Sequence, residues 1–255
     1  MKKIIFILSF FFSLYCEASG IPVLEYHQVD NSKELGETVI SIAKFKEQMQ
    51  YLNDQGYKTI SIKELVDVMN NKTKMIEKTI VITFDDGWTS ILNATPILNS
   101  FDMKASFLII GSMQGNQYLT WKQLKDLVSN SNYEVQSHTQ THPWSNIDNL
   151  VTWSEGKNDR DENDIMSELI DSKLILERNL GKSVNFLAWP SGYYNQKLIQ
   201  NAKLAGYEGT LTIEMGTNNP GDDPYKIKRL FIDGNCNIEH FIKILEHNIS
   251  SLCSK

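Results

Sequence analysis

No apolar run in this sequence is long enough to cross a membrane. The stretch Ile4–Leu14 falls well short of the ~20 residues that a spanning helix needs. Lys2 and Lys3 precede it, and the small residues Ala18, Ser19 and Gly20 follow, which is the build of a secretory signal peptide. Residues 1–20 are therefore expected to be cleaved. Residues 21–255 would then form one periplasmic or secreted domain with no stable membrane span. Lipid attachment at Cys16 is disfavoured, because the bulky Tyr15 stands where such signals prefer a small residue. Positive charge is scarce as well. The chain carries 25 basic and 31 acidic side chains; without the two Lys and one Glu of the leader, 23 face 30, a net charge of −7. There is no basic stripe and no GxxxxGK[ST], which excludes nucleic acid as a partner and a phosphate-loop function. Cysteine is rare, and only Cys236 and Cys253 lie outside the leader. They are expected to stay unpaired. Ile238, Phe241, Ile242, Leu245 and Ile249 recur at helical spacing, and a helix running to Ser251 would hold the sulfurs roughly 20 Å apart, whereas bridged Cα atoms lie within about 7 Å. Also missing are a Gly/Pro/Ser-rich linker and any short repeat.

What is present is an alternation of short apolar runs with amphipathic stretches. Strands are predicted at Val23–Tyr26, Thr59–Ile62, Thr79–Phe84, Ala105–Ile110, Tyr133–Gln136, Val184–Trp189, Gly209–Ile213 and Lys228–Ile232. Helical periodicity lies between them at Ile42–Leu52, Lys63–Met69, Ser90–Leu98, Trp121–Val128, Asp164–Leu180 and Gln196–Leu204. Thr152–Asp164 reads as a polar surface loop. This order predicts an α/β fold with a parallel sheet, and eight strand candidates suggest a barrel. In such folds the chemistry gathers where strands end. His27 follows the first strand, Asp85 and Asp86 the third, and Ser137-His138-Thr139-Gln140-Thr141-His142-Pro143 the fifth, while Trp189 and Pro190 close the sixth.

Adjacent carboxylates repel unless a cation, a proton or water separates them. Asp85-Asp86-Gly87 has two readings: a strand-to-helix turn with an Asp cap, or a metal ligand beside a base. His138 and His142, spaced i and i+4, can face one point if the chain turns after the strand. With an aspartate they offer two imidazole nitrogens and one oxygen, the three-ligand set with an open position that holds catalytic zinc. Trp88, Trp144, Trp189, Tyr193 and Tyr194 follow the same strand ends, and could be sugar platforms or core.

Thr83-Phe84-Asp85-Asp86-Gly87, followed some fifty residues later by His138-Thr139-Gln140-Thr141-His142-Pro143, resembles the NodB-type polysaccharide deacetylases, carbohydrate esterase family 4. The resemblance covers most of the mature chain. It implies a distorted (β/α) barrel and a metal-dependent hydrolase that removes N-acetyl groups from an N-acetylglucosamine-containing polysaccharide. It further implies that Asp85 is the catalytic base and that Asp86, His138 and His142 hold a divalent metal, most simply Zn2+. Trp189-Pro190-Ser191-Gly192, with Tyr193, would wall the substrate groove, the Ser191 amide helping to stabilise the oxyanion. There are two departures. Ala188 stands where the family has a base-orienting Arg, a place Arg229 could fill. The catalytic His of a C-terminal L-x-x-H is not evident either, but Leu24-Glu25-Tyr26-His27 repeats that pattern at the N-terminus. This order is similar to the permuted motifs of biofilm poly-N-acetylglucosamine deacetylases and makes His27 the candidate acid. Peptidoglycan, chitin oligosaccharide or acetylxylan are alternative substrates. A carbohydrate-binding pseudoenzyme is a reading of another class, encouraged by the absent Arg.

Overall fold

The computed structural model describes residues 20–31, 36–112, 116–247 and 253. The leader and Cys16 lie outside these. Strand β1 (Ile21–Tyr26) is followed by the short β2 (Gln28–Val29) and β3 (Val39–Ile40), helix α1 (Ile42–Asp54), β4 (Lys58–Thr59), α2 (Ile62–Met69) and β5 (Thr79–Phe84). Next come a 3-10 turn at Thr89–Asn93, α3 (Thr95–Ser100), β6 (Ala105–Ile109), α4 (Trp121–Leu127), β7 (Tyr133–Ser137), α5 (Leu150–Ser154) and α6 (Glu162–Leu180). β8 (Phe186–Ala188), α7 (Gln196–Leu204), β9 (Gly209–Leu211), β10 (Thr217–Asn218), β11 (Leu230–Phe231) and α8 (Ile238–His247) complete the described elements.

The β-branched run Thr79–Phe84 is buried at every residue, as expected of a strand covered on both faces. β1, β5, β6, β7, β8 and β9 pair in that order, all in parallel. β11 then pairs in parallel with β1. Just before it, Ile227 donates to Thr210 O and accepts from Thr212 N, both on or beside β9. The segment from Ile227 to Phe231 thus joins the two ends of the sheet, giving the distorted barrel anticipated above.

Alternation along the strands sorts the side chains. Ile21, Val23, Val81, Leu108, Phe186, Ala188, Leu211 and Ile227 fill the interior, and Ile62, Leu65, Val66 and Met69 of α2 pack onto them. Helix α2 sits across the N-terminal ends of the strands: its Ile62 N–H donates to Glu134 at the start of β7 at 2.9 Å. Leu24, Tyr26, Ile82, Phe84, Phe107 and Leu187 face outward to the helices. No described helix is long and apolar enough to cross a membrane.

Three local expectations are corrected. Thr152–Asp164 is not all loop: Trp153 is buried in α5, and α6 begins at Glu162, where Asp161 accepts from Asn163 and Asp164 amides as an N-cap. Ser90–Leu98 divides into a 3-10 turn and α3, with a proline in the first turn of α3. Cys236 and Cys253 form a disulfide with Cα atoms 5.5 Å apart. The described part of α8 ends at His247, and six further residues reach back up to about 20 Å. The Cys253 amide donates to Asp233 at 3.1 Å. The expectation had treated the two cysteines as held at the ends of one rigid helix.

Candidate active site

Three of the predicted chemical residues stand one step past a strand. Asp85 follows β5, His27 follows β1 and His138 follows β7. Parallel register brings these ends level, since Tyr26 pairs with Phe84 and Ile109 with Ser137.

Asp86 Oδ1 lies 3.4 Å from His138 Nε2 and 3.5 Å from His142 Nε2, and the two nitrogens are 3.2 Å apart. Ligand atoms about 2.1 Å from a tetrahedral zinc stand about 3.4 Å from one another. The triangle therefore fits such an ion without rearrangement. The surroundings aim each ligand. His138 Nδ1 faces Ala188 O at 2.9 Å, which leaves Nε2 for the triangle. Trp88 Nε1–H donates to Asp86 Oδ2 at 2.8 Å, turning Oδ1 toward the histidines. Trp88, which opens the following 3-10 turn, makes no side-chain cap, and the carboxylates of Asp85 and Asp86 accept from Arg229 and the Trp88 indole.

The backbone bends sharply to do this. Asp86, Thr139, His142 and Ser191 have φ of 71°, 64°, 60° and 50°, a region that costs a non-glycine residue ~1–3 kcal/mol. Gly87 also lies at positive φ, and a Cβ there would approach Ile109 Cδ1 to 3.0 Å. The histidine loop is held from below by Glu168 of α6. Its carboxylate accepts from the Gln140 and Thr141 amides at 2.9 and 2.8 Å and from Thr141 Oγ1 at 2.5 Å. One turn further on, Ser172 bonds Ser137 at 2.8 Å. Sequence reasoning missed Glu168. The signal was there: a glutamate on the same helical face as Ile165, Leu169 and Leu176.

Arg229, the candidate named above for the arginine absent at Ala188, contacts Asp85 directly. Its Nη1 and Nη2 donate to the two oxygens of Asp85 at 2.7 and 2.9 Å, and its Nε to Thr212 O at 2.8 Å. Burial pushes the Asp85 carboxyl up, but Arg229 and His138 outweigh it and hold the group below its usual value. Asp86 is likewise held low, against burial, by its hydrogen bond to His138 and the charges around it. Burial depresses His138, yet Asp85 and Asp86 raise it above an ordinary imidazole. Burial and the charge of His138 bring His142 down to about 4. The two imidazoles are thus pushed in opposite directions, His138 by the carboxylates beside it and His142 by burial.

His27 joins the constellation: ligating atoms of Glu25, His27 and Asp85 lie within 4.8 Å of one another. The groove residues divide. Trp189 is 0% exposed and Pro190 is buried; strand alternation places Trp189 beside Leu187 on the outer face, so these two side chains do not wall a groove. Ser191 is exposed, and Gly192, Tyr193 and Tyr194 are half-buried. On the other side of the triangle, Asp86, Trp88, Tyr118, His142 and Trp144 line a cleft of about 220 Å³. There Trp88 stacks on Tyr118 with centroids 4.6 Å apart, and Trp144 is 64% exposed.

A family model described as polysaccharide deacetylase matches residues 72–210. The poly-β-1,6-N-acetyl-D-glucosamine N-deacetylase of Staphylococcus aureus is 27% identical over 250 residues, covering 90% of this chain and 83% of that protein. A polysaccharide deacetylase from Bacillus cereus superposes with a TM-score of 0.72 at 28% identity, over 89% of this chain and 69% of that one. The Streptococcus pyogenes deacetylase PplD, solved with acetate, gives 0.76 at 25% identity, over 89% and 99%.

Proposed function

The chain belongs to the polysaccharide deacetylase family, and on that premise we propose that it is an exported, metal-dependent hydrolase of N-acetyl groups on an N-acetylglucosamine-containing polysaccharide. The observation that carries this reading is the Asp86–His138–His142 triangle set beside an Asp85 whose oxygens are both held by Arg229. The named substrate of the Staphylococcus aureus relative supports the choice of polymer, and the acetate in PplD supports the chemistry. Export agrees with the Cys236–Cys253 disulfide, a bond favoured in oxidising compartments.

A divalent ion held by Asp86, His138 and His142 would supply Lewis-acid polarisation of the acetyl carbonyl and the attacking water. Asp85, ionised and fixed by Arg229, accepts the proton that the water gives up as its oxygen bonds to the acetyl carbon. The Ser191 amide stands at the loop assigned to the developing oxyanion. His27 delivers a proton to the nitrogen as the C–N bond breaks, releasing acetate and a free amine. Trp144 and the Trp88–Tyr118 pair offer flat faces to neighbouring sugar rings. The pseudoenzyme reading loses its motive, because the guanidinium missing at Ala188 is supplied from Arg229.

The test is acetate release from β-1,6-linked N-acetylglucosamine oligomers, with peptidoglycan, chitin oligosaccharide and acetylxylan in parallel. Turnover should vanish on chelation and return with Zn2+. A zinc-loaded protein that releases no acetate from any of the four would overturn the reading.

A further inference from the structure

Two buried polar atoms beside the proposed base have no hydrogen-bond partner: Glu25 Oε2 and His27 Nδ1. They belong to residues two apart along β1, which strand alternation places on the same interior face. Glu25 is only 4% exposed. Its nearest cation is Arg229, with Nε 3.3 Å from Oε2. That nitrogen, however, spends its single N–H on Thr212 O, while the terminal nitrogens donate to Asp85 and Nη1 also to Thr83 Oγ1 at 3.4 Å. Arg229 therefore gives Glu25 charge but no hydrogen bond. A buried carboxylate oxygen left so is costly, and the imidazole beside it carries the donor that would satisfy it.

We propose that Glu25 is a positioning residue for His27: its carboxylate accepts the Nδ1–H, fixing the tautomer and turning Nε2 toward the departing amine. The ligating atoms of the two groups already lie within 4.8 Å, a gap that a side-chain rotation or one bridging water closes. Burial lifts the Glu25 carboxyl above its ordinary value, with Arg229 opposing and Asp85 reinforcing; an N–H donated by His27 favours its ionised form. Glu25 thereby stands between the two arms of the reaction. Through Arg229 it neighbours the base, and through His27 it sets the acid. This assignment rests on His27 being the acid of the proposed deacetylase.

The primary test is independent of turnover. Nitrogen-15 histidine spectra of the zinc-loaded protein, recorded at a pH that leaves the ring neutral and with His27 assigned by its absence in His27→Ala, should show the remaining proton at Nδ1; the acid that donates from Nε2 is the doubly protonated ring. In Glu25→Leu that preference should be lost; an unchanged tautomer would overturn the proposal. A kinetic cycle supplies the second readout. Glu25→Leu should lower kcat about 10–100-fold with metal content intact, and in a His27→Ala background it should cost less than about twofold. Equal losses in both backgrounds would show that Glu25 acts through Arg229 or the fold, against the proposal. Glu25→Gln retains an acceptor oxygen and should recover much of the rate. A wild-type protein inactive on every acetylated substrate would sink the deacetylase reading, while the spectra would still decide the role of Glu25.

Discussion

At the N-terminal mouth of the barrel, α2 seats Leu65, Val66 and Met69 against Ile21, Val23 and Val81. The helix starts with a reciprocal cap in which Ser61 and Glu64 satisfy each other's backbone amides. At the C-terminal mouth the same strands present Glu25, Asp85, Arg229 and His138, all buried. Four non-glycine residues there adopt left-handed backbone, and polar atoms of Glu25, His27, Gln140 and Trp189 are buried without a partner. One mouth is closed by a capped apolar helix. The other concentrates buried charge and unmet hydrogen bonds. The strands between them separate stability from chemistry, so substitutions at the two mouths should fail in different ways.

The largest effect is expected from Asp85→Asn. The amide keeps an acceptor for Arg229 but cannot take a proton, so kcat should drop ~10²–10⁴-fold while zinc content and circular dichroism stay unchanged. More than about a tenth of the wild-type rate would move the base role elsewhere. Leu65→Ala tests the opposite mouth. Its cavity should cost ~2–5 kcal/mol in denaturant unfolding and leave kcat intact wherever the protein remains folded. If kcat fell in proportion, the two ends would not be separable. Trp88→Phe keeps the stack on Tyr118 but removes the donor to Asp86 Oδ2, and zinc affinity measured by competition with a chelating dye should weaken ~10–100-fold. Unchanged affinity would show that the indole does not aim the ligand. The smallest effect is Ser61→Ala, which should lose ~1 kcal/mol of stability with no kinetic consequence.

The same division governed what could be read from the sequence. Thr79–Phe84 and Gln196–Leu204 are observed at the expected residues, because each has one uninterrupted period and a clear stop. The convergence of Asp86, His138 and His142 was also legible, since all three follow parallel strands of one sheet, β5 and β7, with only β6 between them. Partners brought from far along the chain were harder. Glu168 and the exact hold of Arg229 on Asp85 depend on packing that no local pattern encodes. Trp189 misled for another reason: an aromatic at a strand end suits a groove or a core equally, and only its side of the strand decides. The disulfide was missed because apolar spacing along α8 does not show which residues beyond its two ends meet.

The joining of the sheet by the segment Ile227–Phe231 bears on how the enzyme comes into being. Arg229 sits on this segment, some 144 residues after Asp85, and reaches its partner only when the segment lies between β9 and β1. Such distant pairing is slow, because the closure entropy is lost before the contacts form. Until then Asp85 has no guanidinium, and an unpaired carboxylate in that interior favours its protonated form. On the proposed function, a barrel lacking only this segment would carry the Asp86–His138–His142 triangle without an ionised base at Asp85. Hydrolysis would then wait on the closing segment, and not on the triangle.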